Sequence, residues 1–349
     1  MALIWSGGGM LRPTDTRLRV GTNEAYSSVK TAVEAATSGQ IVYVQPGSYS
    51  ESPFTIPAGV TLAGANRDTV SIVFGASPSG GAAGITFAGS STMQDIAVIN
   101  NGGGTNPWNL LTFSMLSGGD AVVNRCRIQC NDPTVQHFAS TSAGTYTSAA
   151  TATFRDCEFV NMPSYVMVSA GGAKNLLSQY AIDCTFTGWV GTNGSALTAV
   201  FDLCHGSQTN YALMQLTRCT IDLTCNVANM KVSVIRPEAV HTGPPVVYVA
   251  PHLDMTDCSV TIRNGASGVS ASCVEFTKGS GTSTNRQQAD VVLTDNVWNL
   301  LVDGTKIGLD GFTEALTMYS HGTATIVGSD NILSWGTDEW GGTNQPQIL

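Results

Sequence analysis

A six-residue phrase that recurs along the chain constrains the fold more than any other sequence feature. An apolar residue begins the phrase, Asp or Arg is third, Cys, Asn or Ile is fourth, and a second apolar residue ends it. The fourth residues of its copies are Ile96, Cys126, Cys157, Cys184, Cys219, Cys258, Asn296 and, in a degenerate last copy, Asn331. Successive copies lie between 27 and 39 residues apart. Such a period is typical of a solenoid in which each coil contributes one equivalent strand.

The composition agrees with an all-β solenoid and argues against nucleic-acid binding. Hydrophobic residues make up 42% of the chain, charged residues only 12%, and 38 residues are glycine. This balance favours a large dry core with many tight turns. The net charge is −9 and only 16 residues are basic. Because phosphate binding needs clustered Lys and Arg, we expect no nucleic-acid partner.

Five of the nine cysteines occupy the fourth position of the phrase. Neighbouring strands of a solenoid lie about 4.8 Å apart, so these side chains should stack inward as a ladder. Reduced thiols behave as small buried hydrophobes. The chain has no Cys-x-x-Cys motif, although Cys204 and His205 are adjacent. The pattern therefore predicts a structural ladder, and we assign no metal-binding or cofactor-binding residue.

The N-terminal part of the chain predicts an arm followed by a capping helix. Residues 1–24 are irregular and contain neither a basic segment nor a long apolar stretch, so we expect no signal peptide and no membrane insertion. Apolar residues then follow helical spacing, with serines available as N-caps and Gly39 as a stop. This spacing predicts a capping helix over about 26–38, at the start of a β-helix domain over 25–335. A C-terminal tail over 336–349 would follow.

The segment from the helix to Gly64 resembles a known family. Val29-Lys-Thr-Ala-Val-Glu-Ala-Ala is followed by Gly39-Gln-Ile-Val-Tyr-Val, Pro46-Gly-Ser-Tyr-Ser-Glu and Gly59-Val-Thr-Leu-Ala-Gly. This run is similar to the opening of right-handed parallel β-helices of the pectin-lyase-like superfamily. The resemblance closely covers about a tenth of the chain. It implies an all-β fold, a right-handed single-stranded parallel β-helix with an N-terminal capping helix. The matched residues include no catalytic group, so the resemblance implies the fold alone.

The third position of the phrase forms a column of charged residues at a predicted bend between two strands. Alternation places the fourth and sixth residues inward and the fifth outward. Stacked unlike charges would pair and like charges would repel, so we interpret the column as structural. Its members are Asp95, Arg125, Asp156, Asp183, Arg218, Asp257, Asp295 and Asp330.

The periods exceed the roughly 20–25 residues that three short strands and their turns need. The surplus is rich in Gly, Ser, Thr and Asn, and we predict loops that decorate one face of the rod. These segments are Ser77–Ser91, Asn101–Trp108, Asn131–Ala150, Gly191–Thr209, Pro237–Pro251 and Asn264–Arg286. Binding functions usually reside in such loops.

The chain lacks the catalytic patterns that the family resemblance would lead us to test. Asp-Asp and Gly-His-Gly do not occur. Carboxylate pairs that could cleave a glycosidic bond are Asp156 with Glu158, Asp254 with Asp257, and Glu275 with Asp290. Asp202 and His205 are three apart, which a regular strand would place on opposite faces. We therefore assign no catalytic residue.

Histidine and tryptophan offer further candidates without a recognisable motif. The histidines show neither His-x-His nor His-Glu-x-x-His spacing, and the glycine triplets at Gly7 and Gly102 lack the Lys of a phosphate-binding loop. Some tryptophans could stack on sugars or pack loops. The histidines are His137, His205, His241, His252 and His321, and the tryptophans of interest are Trp108, Trp189, Trp335 and Trp340.

Three functions remain open at this point. The first is a non-enzymatic virion structural protein of a bacteriophage, a capsid decoration or cement protein or a short spike, assembled in the host cytoplasm. Its partners would be other virion proteins and two further copies in a homotrimer. The second is a polysaccharide-degrading enzyme, either a tailspike or a pectin-active enzyme. The third is a carbohydrate-binding adhesin module that binds a surface polysaccharide. The missing catalytic set favours the first, and the sequence leaves an enzymatic role open.

Overall fold

A computed structural model describes most of the chain between residues 17 and 335. The described residues are 17–75, 83–101, 109–131, 137–141, 147–162, 165–170, 177–190, 197–205, 213–237, 252–274, 290–302, 304–309, 317–321, 325–327 and 331–335. They form one helix, α1 (Val29–Ala35), and a long series of short strands.

The first half of the series contains β1 Leu18–Val20, β2 Ile41–Val44, β3 Gly47–Glu51, β4 Phe54–Ile56, β5 Thr61–Gly64, β6 Val70–Phe74, β7 Ile85–Phe87, β8 Ser91–Gln94, β9 Ala97–Asn100, β10 Asn109–Phe113, β11 Gly119–Asn124, β12 Arg127–Cys130, β13 His137–Thr141, β14 Ala150–Arg155, β15 Glu158–Met162 and β16 Tyr165–Ala170. The second half contains β17 Leu177–Ile182, β18 Thr185–Val190, β19 Leu197–His205, β20 Leu213–Thr217, β21 Thr220–Cys225, β22 Lys231–Pro237, β23 His252–Thr256, β24 Ser259–Asn264, β25 Ser270–Val274, β26 Asp290–Thr294, β27 Val297–Leu301, β28 Gly304–Leu309, β29 Thr317–His321, β30 Thr325–Val327 and β31 Asn331–Trp335.

The strands form three parallel sheets that run the length of a right-handed parallel β-helix, as the sequence predicts. Sheet A has the order β1-β2-β5-β8-β11-β14-β17-β20-β23-β26-β29. Sheet B runs from β3 through every third strand to β30, and sheet C runs likewise from β4 to β31. One strand from each of sheets A, B and C therefore makes a coil. The first coil is β2–β4, the second β5–β7, the fourth β11–β13 and the fifth β14–β16.

The core follows from strict alternation along these strands. In β14, for example, Ala150, Ala152 and Phe154 are buried while the residues between them are not. Phenylalanines from successive coils stack along the axis: the ring centroids of Phe87 and Phe113 are 4.9 Å apart, and those of Phe159 and Phe186 are 4.7 Å apart. Such contacts supply both apolar burial and specific ring geometry.

Helix α1 covers the open N-terminal end of the core. Val29, Ala32 and Val33 are buried beneath it, and Ser28 is its N-cap, accepting a hydrogen bond from the Thr31 N–H. The helix is shorter than the predicted 26–38, because the chain is already extended at Ser28 and at Ala36. Leu18–Val20, within the predicted arm, pairs with β2 and extends sheet A. No helix in the described ranges is long and apolar enough to span a membrane.

Sheet C occupies much of the sequence that we predicted to be loops. Strands β7, β13, β19 and β25 lie inside Ser77–Ser91, Asn131–Ala150, Gly191–Thr209 and Asn264–Arg286. The loop prediction is therefore wrong for these strands. These strands are short and are flanked by segments rich in Gly, Ser and Thr, so the sequence pattern does not reveal them, and pairing with the strands of neighbouring coils defines them.

Candidate functional site

The charged column lies at the corner between sheets A and B, where each of the third to ninth coils turns. Between β8 and β9, Asp95 and Ile96 alone make the turn. The third residue of every described phrase has a left-handed backbone, with φ between 49° at Arg125 and 58° at Asp95. Asp tolerates this region because its short side chain bonds locally, whereas Arg does so at a cost. The first seven members of the column are thus bends, as predicted. The degenerate last copy does not continue this corner, because Asn331 begins β31 of sheet C, and Asp330 lies outside the described residues.

Arginines in this column pair with the aspartate of the preceding coil. Arg125 donates from Nε and Nη2 to the two carboxylate oxygens of Asp95, both at 2.7 Å. Arg218 makes the same bidentate pair with Asp183, at 2.7 and 2.8 Å. The hydrogen bonds from Arg218, aided by its charge and that of Arg155, lower the pKa of Asp183. This carboxylate stays ionised and cannot serve as a general acid near neutral pH.

In the pair Asp156 and Glu158, arginines bind the Glu158 carboxylate and the backbone of Asp156. Glu158 accepts from Arg127 Nε at 2.7 Å and from Arg67 Nη2 at 2.8 Å. Arg67 Nη1 donates to the backbone carbonyl of Asp156 at 2.7 Å, and Arg127 Nη2 donates to Asp68 at 2.8 Å. Both Glu158 oxygens are held by guanidinium groups, so this pair is structural.

Asp254 and Asp257 both have structural roles. Asp254 lies on β23 and accepts from the Thr256 hydroxyl at 3.0 Å, while Asp257 forms a bend with φ of 54°. The pair of Glu275 with Asp290 stays a prediction, because Asp290 begins β26 but Glu275 lies outside the described residues.

The phrase cysteines form the predicted ladder. Cys126, Cys157, Cys184, Cys219 and Cys258 are free and buried. Each of the first four lies 3.4–3.7 Å from a carbonyl oxygen of the preceding coil, as Cys157 Sγ does from Val123 O at 3.4 Å. Burial raises the pKa of the Cys126 thiol well above its ordinary value, and neighbouring Cys157 adds to the shift. We interpret the ladder as structural, because its described thiols are buried and contact the backbone.

Asn296 continues the ladder after Cys258. It is buried, its Oδ1 accepts from the Cys258 N–H at 2.9 Å, and its Nδ2 donates to Met255 O at 2.7 Å.

Across the described residues, no group of three or more His, Cys, Asp or Glu could hold a metal ion.

The remaining candidates are dispersed. His137 and His205 lie on strands of sheet C, His252 and His321 on strands of sheet A. Trp189 packs against the core from β18, and Trp335 ends β31. His241, Trp108 and Trp340 fall outside the described residues.

One register line on sheet C brings together residues that the sequence did not connect. Thr112 pairs with Thr86 on one side and with Ser140 on the other. The full line, which we call the sheet C row, is Thr55, Thr86, Thr112, Ser140, Val168, Asp202 and Arg236. Its positions alternate with the buried Phe87, Phe113, Phe201 and Ile235, so the row is on the outer face of the sheet.

A β-bulge in β19 sets the register of His205 beside the row. Val168 and Ala170 are two apart on β16, yet they pair with Asp202 and His205, which are three apart on β19. Because of the extra residue, Asp202 and His205 both align with positions of one face of β16. The expectation that these two residues lie on opposite faces is therefore wrong, because alternation fails where a strand is bulged.

An apolar, buried strip lies beside the described part of the row. Leu110, Val200 and Val234 belong to this face by alternation, and each is completely buried. At the row itself Thr55 is exposed, and Thr86 and Thr112 are half-buried. Several connections that border sheet C are longer than the two-residue bends between sheets A and B, as at residues 114–118 and 226–230. Among the row positions whose exposure the structure describes, the three threonines are thus accessible.

Comparison with known proteins yields similarity to solved structures alone. No protein-family model and no curated protein sequence matches the chain. A pectin methylesterase from carrot is 12% identical with a TM-score of 0.49, covering 94% of this chain and 88% of its own. A pectin methylesterase from Erwinia chrysanthemi is 12% identical with a TM-score of 0.43, covering 95% and 98%. The catalytic domain of a GH87 alpha-1,3-glucanase is 11% identical with a TM-score of 0.46, covering 94% and 70%. Likeness of this degree says nothing about the activity of this chain.

Proposed function

We propose that this chain is a polysaccharide-active β-helix that holds an extended glycan along the sheet C row. The observation that supports the proposal is the row itself. Threonine and serine positions repeat over four successive strands, and Asp202, Arg236 and His205 follow at its end.

The row suits a polymer that carries many hydroxyl groups. Hydroxyl side chains both donate and accept hydrogen bonds. Strands repeat about every 4.8 Å, so a linear ligand that lies across them meets an equivalent position in each coil. Hydrogen bonds that are individually weak then act together along the ligand, as linked contacts do in multivalent binding.

The end of the row provides the residue types that acid–base chemistry needs. A carboxylate at Asp202 accepts protons, and an imidazole at His205 changes its charge near neutral pH. A guanidinium at Arg236 binds carboxylates or developing oxyanions through charge-assisted hydrogen bonds. Cleavage of the bound glycan at this end is part of the proposal.

Binding and turnover test the proposal together. We expect retention in affinity electrophoresis with at least one member of a panel of pectic, capsular and α-glucan polysaccharides, and release of reducing ends from it. A charge-assisted hydrogen bond is worth about 1.5–3 kcal/mol, so Asp202→Asn or Arg236→Gln should weaken binding about tenfold or more.

Asp222→Asn and Arg263→Gln are the matched controls. They remove a carboxylate and a guanidinium from adjacent coils of sheet B, where Arg263 contacts Asp222 at 3.1 Å. We expect these controls to bind like the wild type. Equal losses in both pairs of variants, or no retention by any polysaccharide, would contradict the proposal.

The virion role and the homotrimer stay predictions from the sequence, because no described residue bears on them. Mass spectrometry of purified particles from the source tests the virion role directly. Absence of this chain from every particle would rule the virion role out. Binding of a glycan would leave that role open.

A further inference from the structure

The second coil turns from sheet A to sheet B differently from the coils after it. Residues 65–69 connect β5 to β6, where the later coils use two residues. Asn66 shapes this turn: its side chain accepts from the Asp68 N–H at 2.8 Å, and its carbonyl accepts from the Thr69 and Val70 N–H groups. The longer turn presents Arg67 and Asp68 at the corner.

These two residues contact coils that are not their neighbours. Arg67, in the second coil, reaches Glu158 and the Asp156 carbonyl in the fifth coil. Asp68 contacts Arg127 of the fourth coil at 2.8 Å, and Arg127 also binds Glu158. Sheet B has the order β6-β9-β12-β15 here, so the contacts span three strand spacings, about 14 Å. We call Arg67, Asp68, Arg127 and Glu158 the corner brace.

The outer face of sheet B leaves room for the corner brace. Ser71, Ala97, Arg127 and Glu158 form one register line on the outer face of sheet B. Ala97 lies between the turn and Arg127, and it is only 3% exposed. A small side chain at this position leaves space for Arg67 to pass over the third coil.

The other ion pairs that join coils in the described part of the chain link adjacent coils. Arg218 pairs with Asp183 across β17 and β20, and Arg263 pairs with Asp222 across β21 and β24. A solenoid normally gains stability from each coil and from its contacts with the next, so local opening can begin at many places. A brace from the second to the fifth coil changes this, because displacement of the coils that it spans separates its partners.

We propose that the corner brace couples the second to fifth coils into one cooperative unit, while the coils beyond open separately. The inference does not depend on the proposed function. Networks of several charges contribute more than isolated surface pairs, and all four side chains take part in one network here.

Hydrogen exchange of the full-length chain, read by mass spectrometry in native conditions, tests the proposal. Arg67→Ala should speed exchange of β6, β9, β12 and β15 together by about five- to tenfold, as expected when sub-global opening becomes easier. Arg263→Ala is the matched control, because it removes an arginine of the same sheet that joins adjacent coils. Its effect should remain within β21 and β24.

Two further variants guard against a merely local effect of the substitution. Asp68→Arg should reproduce the faster exchange because it repels Arg127, whereas Arg67→Lys, which keeps a cation beside Glu158, should retain much of the protection. Faster exchange confined to the 65–69 turn, or equal responses to the Arg67 and Arg263 substitutions, would overturn the proposal.

Discussion

At the scale of single residues, both cysteine and asparagine side chains of the ladder contact the backbone of the preceding coil. The phrase cysteines are small enough to stack at strand spacing, and their thiols approach carbonyls of the preceding coil. A thiol is a weak donor. Asn296 makes stronger contacts, because its amide satisfies both the Cys258 N–H and the Met255 carbonyl. The core thus tolerates a polar residue where both of its hydrogen-bonding groups find partners.

Replacing Asn296 tests this view. Asn296→Ala leaves a buried N–H and a buried carbonyl without their partner, which should cost about 2–3 kcal/mol. Asn296→Cys restores the side chain that the ladder uses elsewhere and should cost less. Urea unfolding of both variants measures the difference. An equal loss for the two would show that the amide contacts contribute nothing particular.

The Asp183–Arg218 pair predicts a dependence of stability on pH. The pKa of Asp183 is lower in the folded chain than its unfolded value of about 3.9. A carboxylate of this kind stabilises the fold fully above its unfolded pKa and loses that contribution as pH falls through its folded pKa. Asp183→Asn should therefore be less stable than wild type at pH 6, and the difference should vanish near pH 2. Urea midpoints across this range give the result, and Arg218→Gln should follow the same curve.

At the scale of elements, helix α1 depends on its surroundings. A seven-residue helix is too short to be stable alone in water. Glu51, on β3, accepts hydrogen bonds from the Val29 N–H at 2.6 Å and from the Ser28 hydroxyl at 2.9 Å. This carboxylate satisfies a free N–H of the first turn and complements the positive end of the helix. The N-terminus of α1 is therefore attached to the first coil, and this contact anchors the cap of the core.

We expect Glu51→Ala to loosen the cap. The loss of these hydrogen bonds should lower stability by about 1 kcal/mol, and the exposed core end should promote aggregation on heating. Glu51→Gln keeps an acceptor at the same place and should have a smaller effect. Thermal unfolding with light scattering distinguishes the variants. Identical behaviour of the two would indicate that α1 is held by apolar packing alone.

The elements of sheets A and B could be predicted from sequence, and those of sheet C could not. The phrase marks where sheet A ends and sheet B begins, since alternation and a left-handed bend are both local properties. Strand β19 carries no such marker, and its glycine-rich and threonine-rich surroundings resemble a loop. Its residues become a strand because β16 and β22 pair with it on both sides.

At the scale of the whole molecule, the three sides of the rod differ in chemistry. The corner between sheets A and B has tight bends and paired charges, while sheet C has several longer connections and carries the sheet C row. The corner brace lies on the side away from the row and spans coils that contribute Thr86 and Thr112 to it. Architecture and proposed binding are thus on different sides, which allows each to be altered separately.

The sequence by itself determined the solenoid, its cysteine ladder, its bends and its capping helix, because each depends on residues close together in the chain. Only the tertiary structure decided which distant residues meet. Asp202 and Arg236 become neighbours through strand register, and His205 joins them through a bulge. Arg67 reaches Glu158 across the third and fourth coils. Such contacts depend on how coils stack in space, and no local pattern of residues records that stacking.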